Sequence, residues 1–417
     1  MSKRIVIVGA GVIGLCTAYY ALEKGHRVTV LERGGPDHDC CSLGNAGMVV
    51  PSHFMPLAAP GMVALGLRMM FHPESPFSIH PRLSLDLLRW GWAFYRAANA
   101  AHVARSAPLL RDLGLASRRG YEDLAEALGG GFELVQNGLL MLCKTQHVLD
   151  EEAALVKKAH ELGIPAEVLS PEEVARLNPA MRMDVAGAVY FPQDGHLTPP
   201  RLMAALMRAV EERGVEFCWS TEVTGWRASE GRIEAVRTTQ GEVSADEYVV
   251  ACGAWSPHVL RDLPLRLPMQ SGKGYSVTLP TPRQLPTICS ILTEARVAVT
   301  PMGAALRFAG TMEITGLDQS INRQRVNGIF KSIPQYFPEF RQEDFQDLPA
   351  WSGLRPCSPD GLPYIGRFRR YANLSVAAGH AMIGVSLAPI TGKLMAEILS
   401  GEPSSIPIDA LTPDRYA

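Results

Sequence analysis

Residues 4–32 read RIVIVGAGVIGLCTAYYALEKGHRVTVLE, and this stretch decides the fold. The run RIVIV at 4–8 is typical of a buried strand, residues 12–24 follow as a helix, and RVTVL at 27–31 supplies the next strand. This order predicts a βαβ unit and therefore the start of a parallel sheet. Basic residues before an apolar run also resemble a signal peptide, but the spaced glycines and the second strand argue against that interpretation.

Gly9 and Gly11 lie between the first strand and the helix, Gly14 lies in the first turn of the helix, and Glu32 ends the second strand. In a dinucleotide-binding unit they permit a tight turn, a close approach to pyrophosphate and close helix packing, in that order. The helix N-terminus offers N–H groups to phosphate, and Glu32 can accept both hydroxyls of an adenosine ribose. The unit therefore predicts a bound dinucleotide. Further candidate contacts are Val12, Ile13 and Arg33.

Two features favour FAD over NAD as that dinucleotide. No second GxGxxG motif occurs, so no separate nicotinamide site is evident, and CCSLGNAGMVVPS at 40–52 follows closely. The small residues of this segment suit a backbone that wraps around a pyrophosphate and a flavin. The candidate contacts here are Ser42, Asn45, Ala46 and Gly47. A nicotinamide-binding protein without flavin is the alternative.

Two later segments also run from a strand into a glycine turn, DEYVVACGAW at 246–255 and GHAMIGVSLAPITG at 379–392. A helix N-terminus in the second segment, aimed at the flavin's pyrimidine edge, would stabilise the anionic reduced form. We interpret His380 there as a structural histidine rather than a base. The cofactor candidates in these regions are Val223, Cys252, Gly253, Gly379, Met382, Ile383, Gly384, Val385 and Ser386.

The composition excludes several classes of protein. The chain has 417 residues, 47% of them apolar and 20% charged, with a net charge of -2, so nothing indicates a nucleic-acid partner. None of the eight cysteines forms a CxxC pair, so neither a metal site nor a disulfide framework is predicted, and a cytoplasmic location fits best. The apolar stretch 55–71 is broken by Pro60 and Arg68 and is shorter than the roughly 18 residues of a membrane span. It predicts a buried helix, a helix of the substrate domain or, at most, peripheral membrane contact.

The pattern in the middle of the chain differs from that of the parallel βαβ unit. Residues 268–315 alternate between apolar and polar, which predicts antiparallel strands with a hairpin turn at 301–303. The fold class is therefore α/β, a Rossmann-type cofactor domain with an α+β substrate domain. Helices are predicted near 84–99, 107–127, 149–162, 199–213 and 319–332.

Residues 351–366, WSGLRPCSPDGLPYIG, are rich in glycine and proline, which predicts a stiff loop around Arg355. Together with GAGVIG, GNAG, SGKGYSVT, ACGAWS and GHAMIGVSLAPITGKLMAEILSG, this motif resembles the FAD-dependent D-amino-acid oxidase and dehydrogenase superfamily, and most of all its bacterial D-amino-acid dehydrogenases. The resemblance spans nearly the whole chain. It implies a discontinuous FAD domain (1–52, 196–265 and 350–417) and a substrate domain (53–195 and 266–349).

The resemblance also implies roles for individual residues. Arg355, in the GLRP motif, would bind the substrate carboxylate, and Tyr275 is the second candidate for that carboxylate or for the pocket wall. Lys273 and His53 are exploratory substrate contacts; His53 replaces a glycine of the nearest relatives. Met382 stands where the glycine-oxidase branch has an arginine, which weighs against glycine as substrate.

The implied reaction is hydride transfer from the amino-acid Cα to flavin N5, giving an imino acid that hydrolyses to a keto acid. No strong general base is expected if the amine binds neutral. No sequence motif identifies the electron acceptor, for which a quinone and a partner protein are the candidates. The alternative functions are a D-hydroxyproline or D-proline dehydrogenase and a flavin subunit of a larger amine-oxidising complex. The expected location is the cytoplasm or the inner face of the cell membrane, with the chain bound peripherally.

Overall fold

A computed structural model describes residues 1–70, 74–80, 82 and 84–417. Its strands are β1 (Arg4–Val8), β2 (Arg27–Leu31), β3 (Met48–Val49), β4 (Phe77–Ile79), β5 (Leu139–Cys143), β6 (Glu167–Leu169), β7 (Gly187–Phe191), β8 (Gly195–His196), β9 (Glu216–Cys218), β10 (Val223–Ser229), β11 (Arg232–Thr238), β12 (Gly241–Val243), β13 (Glu247–Val250), β14 (Gln270–Leu279), β15 (Cys289–Leu292), β16 (Val297–Met302), β17 (Ala305–Ile314), β18 (Ala350–Cys357), β19 (Tyr364–Arg367) and β20 (Leu374–Ala378).

The helices are α1 (Val12–Glu23), α2 (Met62–Met69), α3 (Leu85–Ala97), α4 (Ala100–Ala127), α5 (Gln146–Glu161), α6 (Pro171–Leu177), α7 (Pro199–Glu212), α8 (Ser256–Val259), α9 (Arg323–Tyr336) and α10 (Ala388–Ser400). Short 3₁₀ turns lie at Gly253–Trp255, Gln342–Phe345, Ala381–Ile383, Asp409–Leu411 and Pro413–Tyr416.

The first layer is a six-stranded sheet in the order β19-β20-β13-β1-β2-β9. All its pairings are parallel except that of the edge strand β19. Ile5 and Ile7 pack into a core shared with α1, α4, α7 and α10, whereas Val6 and Val8 pack on the other face with Trp226 of the small sheet β10-β11-β12. Because both faces are covered, the strands are mainly apolar, as expected for a parallel sheet.

The second layer, here called the substrate sheet, has the order β18-β14-β17-β16-β15-β5-β7-β6, with β4 also pairing with β17. Most of its pairings are antiparallel. One face buries Tyr275, Val277 and Phe308 against α9 and the segment that follows it. The opposite face carries Arg307, which contacts the loop 39–45 that follows β2.

The βαβ unit is confirmed at 4–8, 12–23 and 27–31, and the long predicted helices appear with shifts of a few residues at their ends. The hairpin turn predicted at 301–303 lies slightly later, between β16 and β17, where Gly303 has φ +62°.

The prediction of a loop around Arg355 is wrong. Residues 350–357 form the edge strand β18, paired with β14 along its length, and β19 begins at Tyr364. Proline is tolerated at position 356 because an edge strand leaves one row of N–H groups unpaired. Strand β18 therefore belongs to the substrate sheet, although the predicted division of the chain assigned residues 350–417 to the FAD domain; that division stays a prediction.

The apolar stretch 55–71 contains α2, none of whose residues is buried, so the expectation of a buried helix is wrong; its last residue, Phe71, lies outside the described residues. Within the described ranges no helix is both long enough and apolar enough to span a membrane.

We predict that Gly14→Ala destabilises the protein whereas Gly91→Ala does not. A Cβ at residue 14 would lie 2.0 Å from the Gly9 carbonyl oxygen, but a Cβ at residue 91, also helical, meets nothing within 4 Å. Overpacking typically costs about 1–3 kcal/mol, and glycine to alanine in an open helix site gains roughly 0.5–1 kcal/mol. Thermal unfolding of both variants checks this, and an equal melting temperature would contradict the packing role of Gly14.

Candidate functional site

The turn between β1 and α1 is shaped by its glycines. Gly9 has φ +106°, and a Cβ there would lie 2.7 Å from the Ala251 carbonyl oxygen. Gly11, the N-cap of α1, has no atom closer to its ideal Cβ than Ser42 Oγ at 3.8 Å, so the helix N-terminus stays accessible. The turn is thus closed on the sheet side and open where a pyrophosphate would approach the helix dipole.

The carboxylate of Glu32 is fixed beside this turn. Its two oxygens accept hydrogen bonds from the backbone N–H groups of Ala10 and Gly34, each at 2.9 Å. Each oxygen keeps a further lone pair, and the side chain lines the cavity above the turn. This arrangement suits a ribose diol and, by its charge, disfavours a 2′-phosphate.

The predicted flavin loop lies against the same helix end. Ser42 Oγ accepts a hydrogen bond from Val12 N at 3.1 Å, and Asn45 Oδ1 accepts one from Gly47 N at 2.8 Å. Gly47 has φ +73°, and a Cβ there would meet the Leu197 carbonyl oxygen at 2.2 Å. The loop therefore folds closely over the start of α1 in a conformation that depends on glycine.

The C-terminal motif closes the site from the other side. Gly379 has φ +83°, the 3₁₀ turn Ala381–Ile383 follows, and Ser386 Oγ accepts a hydrogen bond from Val50 N at 2.9 Å. His380 is buried with its Nε2 at 3.0 Å from Thr391 Oγ1, and burial lowers its pKa to about 3. The imidazole is thus neutral and buried, in agreement with a structural role.

These elements surround one cavity. The predicted cofactor residues that line it are Gly9, Gly11, Val12, Ile13, Glu32, Arg33, Ser42, Asn45, Val223, Cys252, Gly253, Gly384 and Val385. Those outside its lining are Gly14, Ala46, Gly47, Gly379, Met382, Ile383 and Ser386. The accessible helix N-terminus and the fixed carboxylate fit FAD, which the residues named above would hold.

Sequence reasoning missed part of the lining. The residues concerned are His38, Asp39, Cys40, Cys41, Thr221, Glu222, Ala251, Ala254, Trp255, His258, Val259, Leu354, Pro356, Ala377, Ala378 and Ala381. Thr221 and Glu222 had a usable signal, because they follow β9, and the carboxyl ends of parallel strands form the ligand edge of such sheets.

Arg355 lies beside this cavity, and its neighbours Leu354 and Pro356 line it. Among the described residues, its side chain donates hydrogen bonds only to backbone oxygens, those of Thr311 and Gly310. Across the described ranges no acidic side chain forms an ion pair with it. Burial lowers the pKa of this guanidinium, so an anionic ligand would relieve the cost of a desolvated, unpaired charge.

Two features of the neighbouring strands make room for this guanidinium. A Cβ at Gly274 would lie 2.1 Å from both terminal nitrogens of Arg355, so position 274 requires glycine. In β17 the pairing with β14 shifts register between Lys273 and Tyr275, and Thr311 at this bulge has φ +69°. The bulge places the Thr311 carbonyl where Arg355 can donate to it.

The structure does not bring Tyr275 or Lys273 to Arg355. Both alternate with Gly274 along β14 and point to the opposite face. Tyr275 is 1% exposed and its hydroxyl donates to Glu313 Oε1 at 2.5 Å, while Lys273 Nζ pairs with Asp318 Oδ2 at 2.7 Å. We correct the expectation: these side chains stabilise the substrate domain, and Arg355 has no tyrosine partner on β14.

His53 belongs to a small polar cluster. Its Nδ1 lies 3.2 Å from Ser52 Oγ, and Ser52 donates from both its hydroxyl and its backbone N to the fully buried carboxyl of Asp194. Burial raises the pKa of Asp194 to about 7 and lowers that of His53 to about 4. His53 does not line the cofactor cavity, so its contact with substrate stays a prediction.

An apolar wall, defined here as Met141, Ile291 and Ala298, lies on the Arg355 side of the substrate sheet. Ile291 is paired with Met141 on β5 and with Ala298 on β16, so the three side chains share a face. All three pack against a buried cluster that Ala46 of the flavin loop and Ile383 of the C-terminal turn also contact. Met382, next to Ile383, is 42% exposed, so its role as a substrate contact stays a prediction.

We predict that Asp194 makes stability fall as the pH rises. The pKa of this carboxyl is about 7 in the fold and about 3.9 in the unfolded chain, so its contribution is present below about pH 4 and is lost as the pH rises through about 7. In Asp194→Asn this loss should vanish. Melting temperatures of both proteins from pH 4 to 8 check this, and a wild-type-minus-variant difference that does not change with pH would contradict it.

Comparison with known proteins identifies the family. Residues 4–398 match the model of the DAO family, FAD dependent oxidoreductase. A D-amino acid dehydrogenase of Granulibacter bethesdensis is 34% identical over 99% of this chain and 100% of its own, and one of Vibrio atlanticus is 31% identical over 99% and 100%.

Solved structures share the fold. Glycine oxidase of Geobacillus kaustophilus superposes with a TM-score of 0.80 at 24% identity over 100% of both chains. L-proline dehydrogenase of P. horikoshii does so with a TM-score of 0.74 at 19% identity, over 100% of this chain and 98% of that one. The glycine turn, the fixed Glu32 carboxylate and the matched length together show that the chain belongs to the DAO family of FAD-dependent oxidoreductases.

Proposed function

We propose that the protein is a D-amino acid dehydrogenase in which Arg355 binds the substrate carboxylate. The observation that carries the proposal is the guanidinium of Arg355, desolvated beside the cofactor cavity with only backbone carbonyls as partners. A planar fork of N–H donors matches a carboxylate in two parallel hydrogen bonds. The relatives named D-amino acid dehydrogenase support the same substrate class.

The chain's own groups position the substrate rather than activate it. Arg355 fixes the carboxylate, and the bulge carbonyl of Thr311 fixes Arg355. FAD, when bound, supplies the acceptor for the hydride that leaves Cα. His380 and His53, both with pKa values lowered by burial, are poor bases, so we propose that the amine binds neutral and that the imino acid hydrolyses in water to a keto acid.

The apolar wall supports a neutral substrate side chain. The wall lies on the same face of the sheet as Arg355. Ile291 and Ala298 belong to one cross-strand row with Trp351. Trp351 is four residues before Arg355 on β18, and residues an even number apart on a strand share a face. Ile383 packs against the same buried cluster as this wall, and the backbone of the nearby His380 forms an isolated β-bridge with Cys357 of β18. A substrate held by its carboxylate would thus direct its side chain towards apolar surface, where a charged group would be costly. Neutral D-amino acids and cyclic D-proline derivatives both satisfy this condition.

We also propose that the electron acceptor is a membrane quinone and that α3 rests on the bilayer surface. Leu85, Leu88, Trp92 and Tyr95 follow each other at helical spacing and are 61–69% exposed. Arg89 and Arg96 are exposed within the same helix. Exposed aromatic and leucine side chains with arginines at their edge are the composition of an interfacial helix facing anionic lipid. Helix α3 also reaches the site, because Trp90 Nε1 donates to the carbonyl of Cys357 at 2.9 Å.

We expect Arg355→Met to lose about 30-fold to several thousand-fold in the kcat/KM of flavin reduction by D-alanine. Truncating one partner of a buried charged pair typically costs about 2–5 kcal/mol, with tenfold for each 1.4 kcal/mol. Anaerobic stopped-flow measurement of flavin bleaching, over a panel of D-amino acids, L-amino acids and D-proline derivatives, gives the result.

The control is Arg283→Met, which removes only an exposed ion pair to Asp344 and should keep near-wild-type kinetics. The melting temperature of Arg355→Met should not fall, because the arginine has no ion pair to lose. Unchanged kcat/KM in Arg355→Met would refute the carboxylate role. Flavin bleaching by D-proline derivatives but not by D-alanine would show that the substrate is a secondary amine and not a primary amine.

For the membrane contact, we expect the wild-type protein to sediment with vesicles of phosphatidylglycerol and phosphatidylcholine, and the binding to weaken with salt. The double variant Leu88→Gln/Trp92→Gln should lose most of this binding. Val168→Gln/Leu177→Gln, which also removes two exposed apolar side chains, is the matched control and should bind normally. Equal binding of the two variants, or none by the wild type, would contradict the proposal.

A further inference from the structure

Arg307 of the substrate sheet reaches across to the flavin loop. Its Nη1 donates to the carbonyl oxygens of Leu43 and Asn45, both at 2.8 Å, and its Nε donates to Thr278 Oγ1 at 3.0 Å. The Arg307 side chain therefore holds two backbone carbonyls of the loop, while its Nε is fixed to Thr278 on the neighbouring strand β14. Neither the glycine motifs nor the spacing of the sequence singled out this residue.

The charge of Arg307 is not used in an ion pair. In the part of the chain that the structure describes, its hydrogen-bond partners are two carbonyls and one hydroxyl, none of them anionic. Burial lowers its pKa to about 10. A desolvated cation without a counter-ion is costly, so a residue that served only to join two domains would do so at less cost as a neutral side chain. A guanidinium carries its donors on separate nitrogens of one rigid plane, so Nη1 can hold both loop carbonyls while Nε holds Thr278, and this explains the arginine.

A second contact from the same sheet holds the other part of the loop. Trp351 Nε1 donates to both carboxylate oxygens of Asp39, at 2.9 and 2.8 Å. The indole also packs on Gly44, where a Cβ would come within 2.0 Å of the ring. Residues 39–45 are thus held at their start, middle and end by the substrate sheet.

This loop also contacts the helix end that would hold the pyrophosphate. Between the two anchored segments, Ser42 accepts from Val12 N at the start of α1 and lines the cofactor cavity, as do Cys41 and Asn45. The position of the loop backbone therefore decides the shape of the cavity at this end. The constraint originates in residues of the other sheet, remote in sequence.

We infer that Arg307 is a positioning residue for the flavin: acting through the backbone of Leu43–Asn45, it holds the flavin loop over the N-terminus of α1. FAD affinity then depends on a substrate-domain side chain outside the cavity lining. The inference rests on the proposed placement of FAD in the cavity, and it is independent of the substrate that is oxidised.

The test uses purified holoenzyme of wild type, Arg307→Lys and Arg307→Met. We expect the dissociation constant for FAD, from the recovery of flavin fluorescence on dilution, to rise by about tenfold or more in Arg307→Met, since two charge-assisted hydrogen bonds are lost. Arg307→Lys, which keeps the charge but lacks the fork, should fall in between. Arg283→Met should match the wild type.

A second readout separates positioning from general stability. Excess free FAD should restore the melting temperature and the turnover of Arg307→Met, because ligand binding stabilises the native state by mass action. A lowered melting temperature with unchanged FAD affinity and no rescue by FAD would overturn the inference. If Arg307→Met does not fold, wild-type FAD affinity in Arg307→Lys would overturn it equally. Because flavin release is measured without substrate, failure of the proposed reaction leaves this result intact.

Discussion

The register between β14 and β18 is the constraint on which the site depends. Gly274 stands opposite Gly353, and a side chain at position 274 would overlap the guanidinium of Arg355, so the pairing places glycine where this arginine needs space. A slip of one residue would turn Arg355 to the face that packs against α9 and move Tyr275 off that face. Such a slip would bury a charge without a partner and expose a large apolar face, so the core of the substrate domain enforces the register that the chemistry requires.

The site is then assembled where two sheets of different kinds meet. The parallel sheet supplies an open helix end and a fixed carboxylate for the cofactor, and the substrate sheet supplies the arginine and the apolar wall. The loop 39–45 belongs to the first unit in sequence but is anchored by Arg307 and Trp351 of the second. The position of this segment is therefore set by both sheets.

The cofactor half of the site was predictable because its determinants are local. Gly9, Gly11 and Gly14 lie within six residues of one another, and each answers to a short-range geometric need. The role of Arg355 came from resemblance, and its secondary structure was misjudged because an edge strand tolerates the glycines and prolines that usually indicate a loop.

The remaining errors concern long-range pairing. A strand pattern shows that Tyr275 and Gly274 face opposite ways but cannot show which of them faces the cavity, since that depends on pairing with a segment eighty residues later. The contacts of Arg307 and Trp351 with the flavin loop cross more than 260 residues, beyond the reach of any local signal. The glycines at 272 and 274, alternating with Lys273 and Tyr275, were the one local indication of a face that needs room.

The most direct test of the central claim is a crystal structure of the holoenzyme with a non-oxidisable carboxylate such as benzoate. We predict the carboxylate in two hydrogen bonds to the Arg355 guanidinium, with nitrogen–oxygen distances of about 2.7–2.9 Å, and the rest of the molecule directed towards Ile291 and Ala298. A carboxylate bound elsewhere in the cavity, with Arg355 still bonded only to the Thr311 and Gly310 carbonyls, would contradict the account.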